Sequence, residues 1–233
     1  MFGWPRATGH QRRSEFTALQ SRDGLRYQLL KPLSPTSGPR ACHKEHSAGA
    51  IISCRANDTT LQALDLCLVP TVTFECLFAF LIVSHGRRQL LWFAVTKHPT
   101  AEWLAQQIAE AFPWDTAPRY LIRDNDGAYG QAFTNRVRRM GIRDRPIAPR
   151  SPWQNPYVER LIGTLRRECL DHVLIFGERH LRRVLTLYAL YYNETRTHLG
   201  LTKDAPRRRA VQRCGRIVTT PILCGLHHRY ARI

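Results

Sequence analysis

Acidic residues are scarce in this sequence: 18 Asp and Glu stand against 35 Lys and Arg in 233 residues, for a formal net charge of +17 and a pI near 10.4. Such an imbalance concerns partners rather than fold, and for a soluble basic chain it points to nucleic acid. No run approaches the ~20 apolar residues of a membrane span. The strongest, Cys76 to Val83, is too short and is followed by Arg87-Arg88, so no membrane partner is expected. The opening Met1 to Arg6 has no apolar leader of the secretory kind. No C-x-x-C pair occurs. The seven cysteines (42, 54, 67, 76, 169, 214 and 224) are odd in number and irregularly spaced, which excludes a disulfide framework and reads as reduced core residues of a cytoplasmic protein. Cys42, His43, His46 and Cys54 read as a chance cluster rather than a zinc site. No internal repeat is visible.

What is present is unevenly distributed. Residues 1–60 carry 9 Lys/Arg against 4 Asp/Glu, residues 61–130 carry 5 against 7, and residues 131–233 carry 21 against 7. Residues 1–58, rich in Arg, Ser, Gly and Pro without sustained apolar periodicity, read as a poorly ordered lead. An ordered domain is expected over 59–200 and a basic tail over 201–233. Within the domain, Leu61–Val69, Phe74–Ser84 and Gln89–Val95 read as three strands, antiparallel because their connections are short. Thr100 caps a helix ending before Pro113, Arg119–Arg123 is a fourth strand, and Phe133–Met140 is a helix stopped by Gly141. Ile142–Ile147 is a fifth strand, a helix opens at Asn155-Pro156, and a long helix covers Arg179–Thr195. This order predicts an α/β fold: a five-stranded mixed sheet with helices on its faces.

Three acids stand out. Asp65 interrupts the otherwise apolar Leu61–Val69, where an ionised carboxylate calls for a cation or metal beside it. Asp124 follows the strand-like Tyr120-Leu121-Ile122-Arg123, at the strand end where open α/β sheets place ligands. Glu159 lies in the first turn of a helix whose apolar stripe runs through Val158, Leu161, Ile162, Leu165 and Cys169. Taken singly, Asp124 and its neighbour Asp126 read equally as turn residues, Glu159 as a partner of the helix dipole, and Asp65 as an edge residue facing water. Asp58 is a weak competitor to Asp65.

Taken together, the order Asp65, Asp124, Glu159, with 34 residues between the last two, resembles the Asp-Asp-Glu integrase core of bacterial insertion-sequence transposases and retroviral integrases. Three stretches carry the resemblance in family order: Asp124-Asn125-Asp126-Gly127-Ala128-Tyr129, Ala148 through Arg160, and Tyr192-Asn193-Glu194-Thr195-Arg196-Thr197-His198-Leu199. It runs from about Leu61 to the C-terminus. The helix-turn-helix that usually precedes such a core is not legible in residues 1–58, so the chain is expected to lack independent recognition of transposon ends.

The resemblance implies a ribonuclease-H-like fold and a polynucleotidyl transferase. Asp65, Asp124 and Glu159 would be both the catalytic residues and the ligands of two Mg²⁺ or Mn²⁺ ions, serving DNA 3′-end cleavage and strand transfer. The partners would be transposon-end and target DNA, with the protein acting as a homo-oligomer on the bacterial nucleoid. The loop Arg150, Trp153, Gln154 and Asn155 and the helix positions Arg160, Gly163, Arg166 and Arg167 are the expected DNA contacts, with packing under its loop the equal alternative for Trp153 and a solvated charge the equal alternative for Arg160 and Arg167. Tyr188, Tyr191 and Tyr192 read as core, and Asn193, Arg196 and His198 as ties at the end of the last helix. The alternative is a non-catalytic or truncated transposase remnant that only binds DNA.

Overall fold

The computed structural model describes residues 60–113 and 116–233, together with the backbone of short strands at 18–21, 24–27 and 50–51. Two compact units divide the chain, Met1–Glu45 and His46–Ile233. In the first, β1 (Ala18–Ser21) and β2 (Gly24–Tyr27) pair antiparallel. Cys42, His43, His46, Cys54 and Asp58 lie outside the described residues.

The second unit is built on a mixed sheet. Its strands are β3 (Ala50–Ile51), β4 (Leu61–Pro70), β5 (Cys76–Ser84), β6 (Leu90–Thr96), β7 (Tyr120–Arg123) and β8 (Arg143–Pro146), in the order β3-β6-β5-β4-β7-β8. The five expected strands are β4 to β8, the first three antiparallel and the last two parallel to β4 and to each other. The two-residue β3 adds an edge pairing to β6. Its brevity leaves no legible period. β8, Arg143-Asp144-Arg145-Pro146, is a polar edge strand, where a proline is tolerated because no further strand needs its N–H.

Helices cover both faces. On one, α1 (Ala101–Ala111) and α2 (Gln131–Arg139) bury Leu104, Ile108, Phe133 and Val137 against Leu64, Phe80, Ile82 and Trp92. On the other, α3 (Pro156–Glu168) and α4 (Glu178–Glu194) bury Val158, Leu161, Leu165, Leu181, Leu185 and Tyr188 against Ala63, Cys67, Leu81 and Val83. The strand alternation sets this division: odd residues of β4 face α3 and α4, even ones face α1 and α2. Thr100 caps α1 by accepting from the Trp103 N–H at 3.2 Å, and Gly141 ends the segment after α2 with φ +73°, a conformation that suits glycine.

The C-terminal end of α4 is fastened as the residue types suggested. Asn193 is fully buried, and its amide exchanges two 2.9 Å hydrogen bonds with the backbone of Leu90. Arg196 donates to both carboxylate oxygens of Glu168 at 2.8 and 2.7 Å. Tyr188 and Tyr192 are core residues.

The basic C-terminal stretch contains a hairpin, β9 (Ile217–Ile222) and β10 (His227–Arg232), paired antiparallel. The sequence read this stretch only as a tail. His227 stacks on Tyr191 with centroids 4.0 Å apart and planes 5° from parallel, its Nε2 lies 2.8 Å from the Glu168 carbonyl, and Leu223 packs on the core. The cysteines also divide more finely than expected. Cys67 and Cys169 are buried, whereas Cys76, Cys214 and Cys224 are exposed free thiols, Cys76 at the sheet's rim and the other two outside the packed layers. Among the described residues no helix is long and apolar enough to cross a membrane.

Candidate active site

Strand register brings the two aspartates together. β4 and β7 run parallel with Leu64 opposite Arg123, so Asp65 and Asp124, each one residue further on, leave neighbouring strands at the same level. Asp65 shares the α3-facing side with Ala63 and Cys67. Ile122, opposite Ala63, takes the same side, and the alternation carried one residue past the strand puts Asp124 there too. Asp65 is 8% exposed, and its Oδ1 accepts from the Leu66 N–H at 2.8 Å. Asp124 is half-buried and accepts from the Asn125 N–H at 2.7 Å. Asp126 is exposed and accepts from the Ala128 N–H at 2.9 Å, which is the turn role open to either aspartate from sequence.

α3 is anchored to β4 at two points. The Asn155 amide nitrogen donates to the Leu64 carbonyl at 3.2 Å, and Arg166 donates to the Leu68 carbonyl at 2.7 Å. Glu159, one turn after Asn155, is half-buried near the start of α3, on the helix that covers the face carrying Asp65.

These anchors correct two expectations. Asn155 occupies the N-cap position but makes no side-chain cap hydrogen bond. It is 1% exposed and spends its amide on β4, so its side chain is structural rather than an open DNA contact. Arg166 likewise turns toward the sheet, because a strand carbonyl within reach satisfies a charged donor better than open water does. The remaining expected contacts face outward: Arg150 in a left-handed conformation with φ +61°, Trp153 at 70% exposure, Gln154 accepting from the Ala148 N–H at 2.9 Å, and the exposed Arg160 and Arg167. A side chain at Gly163 would meet the Arg167 guanidinium at 3.1 Å.

Beneath the aspartates lies a group that sequence reasoning passed over. Arg123 is buried and grips Asp144 through Nε at 2.9 Å and a terminal nitrogen at 2.7 Å, while its other nitrogen donates to the Asp124 carbonyl at 3.1 Å. Its guanidinium lies 5.0 Å from the centre of the Tyr129 ring. Burial, and after it the charges of Asp65 and Asp126, hold the Tyr129 hydroxyl well above its ordinary range. That hydroxyl and Asn155 Oδ1 are buried without a hydrogen-bond partner. The available signal was the place of Tyr129 inside the Asp124–Tyr129 motif.

Asp65, Asp124 and Glu159 are hard oxygen donors of the kind a divalent cation takes. Among the described residues, no group of three or more His, Cys, Asp or Glu stands close enough together to hold a metal ion.

With this geometry in place, comparison with known proteins is informative. Residues 140–206 match the integrase core domain family. The integrase core match spans α3, α4 and the α4 closure, and so includes Glu159 but not Asp65 or Asp124. Over 126 residues the chain is 25% identical to an uncharacterized 39.2 kDa protein of insertion element IS476 from Xanthomonas euvesicatoria, covering 54% of this chain and 36% of that protein. The match thus spans about a third of that relative's length. A chain of the simian T-cell lymphotropic virus intasome, solved with PP2A regulatory subunit B56 gamma, superposes with a TM-score of 0.53 at 15% identity over 82% of this chain and 75% of that one. The HTLV-2 integrase catalytic core domain in complex with magnesium gives 0.49 at 13% identity, over 64% and 93%. The fold is ribonuclease-H-like, and the resemblance read from the motifs is to integrase and transposase cores.

Proposed function

We propose that this chain is the catalytic domain of an insertion-sequence transposase that performs metal-dependent 3′-end cleavage and strand transfer of DNA. The observation that carries the reading is the register of β4 and β7, with Asp65 and Asp124 in step on the face covered by the Glu159 helix. Three carboxylates from separate elements suit a site in which no Ser, Cys or Tyr nucleophile is needed. Asp65, Asp124 and Glu159 would hold two Mg²⁺ or Mn²⁺ ions, which when bound activate the attacking oxygen and neutralise the leaving one in an in-line displacement at phosphorus. In cleavage, a P–O bond at the element's end breaks to water and leaves a 3′-hydroxyl. In transfer, that hydroxyl attacks a target phosphodiester, and the target's own 3′-oxygen leaves.

The reading assigns DNA contact to Arg150, Trp153, Gln154, Arg160 and Arg167 around the mouth of the site, with 21 Lys/Arg against 7 Asp/Glu over residues 131–233 supplying phosphate attraction. In this scheme the catalytic unit spans 59–200, the preceding and following segments are accessory, and copies assemble on DNA at the bacterial nucleoid.

The test supplies a pre-cut DNA end to the full chain with Mn²⁺ and follows joining for the wild type, Asp65→Asn, Asp124→Asn and Glu159→Gln. Joining by the wild type alone, with DNA binding retained or tightened in the variants, is expected. DNA binding by all four with joining by none supports the DNA-binding remnant instead. Joining that survives Glu159→Gln overturns the assignment of the site.

A further inference from the structure

Three guanidinium groups converge on one tyrosine ring where β7 and β8 begin. Arg119, Arg143 and Arg145 lie 5.5, 5.4 and 5.8 Å from the centre of the Tyr120 ring, and a terminal nitrogen of Arg143 donates to the Tyr120 hydroxyl at 2.9 Å. The strand register gathers them. Tyr120 pairs with Arg143 and Ile122 with Arg145, so these four side chains stand on one face of the sheet. All three arginines are exposed. Among the described residues no carboxylate pairs with any of them. The acid of β8, Asp144, stands on the opposite face, where the buried Arg123 holds it at 2.7 Å.

Stacking holds a guanidinium by its face and leaves its N–H edge available to a partner. Like charges gathered around one ring also repel one another, a cost that a bound anion removes. The Tyr120 oxygen already accepts from Arg143, so its own proton is left to donate. The Arg143 hydrogen bond, and after it the charge of Arg119, lowers the Tyr120 pKa, which strengthens that donor. Positive charge and converging donors without an acid among them are the complement of a phosphate. A second copy of this chain is a poorer complement, with 18 Asp and Glu against 35 Lys and Arg. Ile122 continues the same face toward Asp124, which lies about 13 Å along the strand from Tyr120. On a duplex that distance is about four base pairs.

We propose that Arg119, Tyr120, Arg143 and Arg145 form a phosphate-binding patch that holds the backbone of bound DNA, separate from the contacts around the mouth of the site. That the DNA held there runs on to Asp65 and Asp124 rests on the catalytic reading above. The affinity of the patch for a duplex does not.

The experiment uses the full chain as wild type, as Tyr120→Phe, and as a triple variant carrying Arg119→Gln, Arg143→Gln and Arg145→Gln. Binding of a blunt duplex without transposon sequence is titrated over a range of salt, alongside thermal melting. The triple variant is expected to melt at or above the wild-type temperature, because the mutual repulsion is gone. Its slope of log affinity against log salt should be shallower by about 3. Tyr120→Phe should lose about tenfold in affinity with an unchanged slope, because it removes a donor to a charged group and no charge. In the joining assay the triple variant should need more DNA but reach the wild-type rate at saturation. A slope equal to wild type in the triple variant overturns the proposal, whether affinity is kept or lost. Self-association of the wild type that the triple variant loses, with duplex binding unchanged, gives the patch to a second copy and overturns it too. A shallower slope in the triple variant with no joining by the wild type supports the patch and overturns the catalytic reading alone.

Discussion

Asn155 donates from its side-chain amide to the carbonyl of Leu64 at 3.2 Å, one residue before Asp65 and four residues before Glu159. This hydrogen bond ties the start of the helix that carries one acid to the strand that carries another. Leu64 is the last residue of β4 that pairs with β7, opposite Arg123.

Asn155→Ala is expected to leave the Leu64 carbonyl without this donor and to lower stability by about 1–3 kcal/mol. Joining should fall further than stability alone accounts for, because α3 then starts from a less defined position. Chemical denaturation paired with the joining assay under conditions where the variant is fully folded measures both effects.

Arg160 and Arg166 should behave oppositely. Arg160 is exposed, and Arg160→Ala is expected to weaken duplex binding at low salt and to reduce the slope of log affinity against log salt by about 1. Arg166 is committed to the Leu68 carbonyl, so Arg166→Ala should leave that slope unchanged while lowering the melting temperature. Salt titrations of DNA binding for the two variants separate these behaviours.

Asn193→Ala removes both hydrogen bonds that complete the backbone of Leu90 at the border of the sheet. Two buried backbone groups lose their partners at once, and a loss of about 2–4 kcal/mol is expected. A denaturation midpoint close to wild type would show that water replaces the amide without cost.

His198 is 8% exposed and packs edge-on to Tyr192 with centroids 5.0 Å apart. Burial, then the charges of Arg196 and Arg88, lowers its pKa to about 4. Because this lies below the ordinary 6.5, the unfolded chain binds the proton first. The stabilising contribution is present in full above pH 6.5 and is lost as pH falls toward 4, in total on the order of 3 kcal/mol. Melting temperature should therefore drop more steeply between pH 6.5 and 4 in wild type than in His198→Phe, which keeps a ring against Tyr192 but cannot titrate. Parallel slopes would contradict the assignment.

Local patterns determined a great deal of this protein on their own. Alternation and helical spacing placed β4 to β8 and α1 to α4 to within a few residues, because each element must bury one face and the period of apolar residues records which. The Thr100 cap and the Gly141 stop were legible for the same local reason, and the three acids were chosen by motif and spacing before any geometry was known. Tertiary structure alone decided where the long polar side chains of α3 point. Asn155 and Arg166 find their acceptors 91 and 98 residues earlier in the chain, and no periodicity encodes which backbone carbonyls a folded sheet will leave within reach. The docking of the C-terminal hairpin through His227 and Tyr191, and the orphaned hydroxyl of Tyr129, belong to the same class: each depends on which surfaces meet once the sheet and its helices have packed.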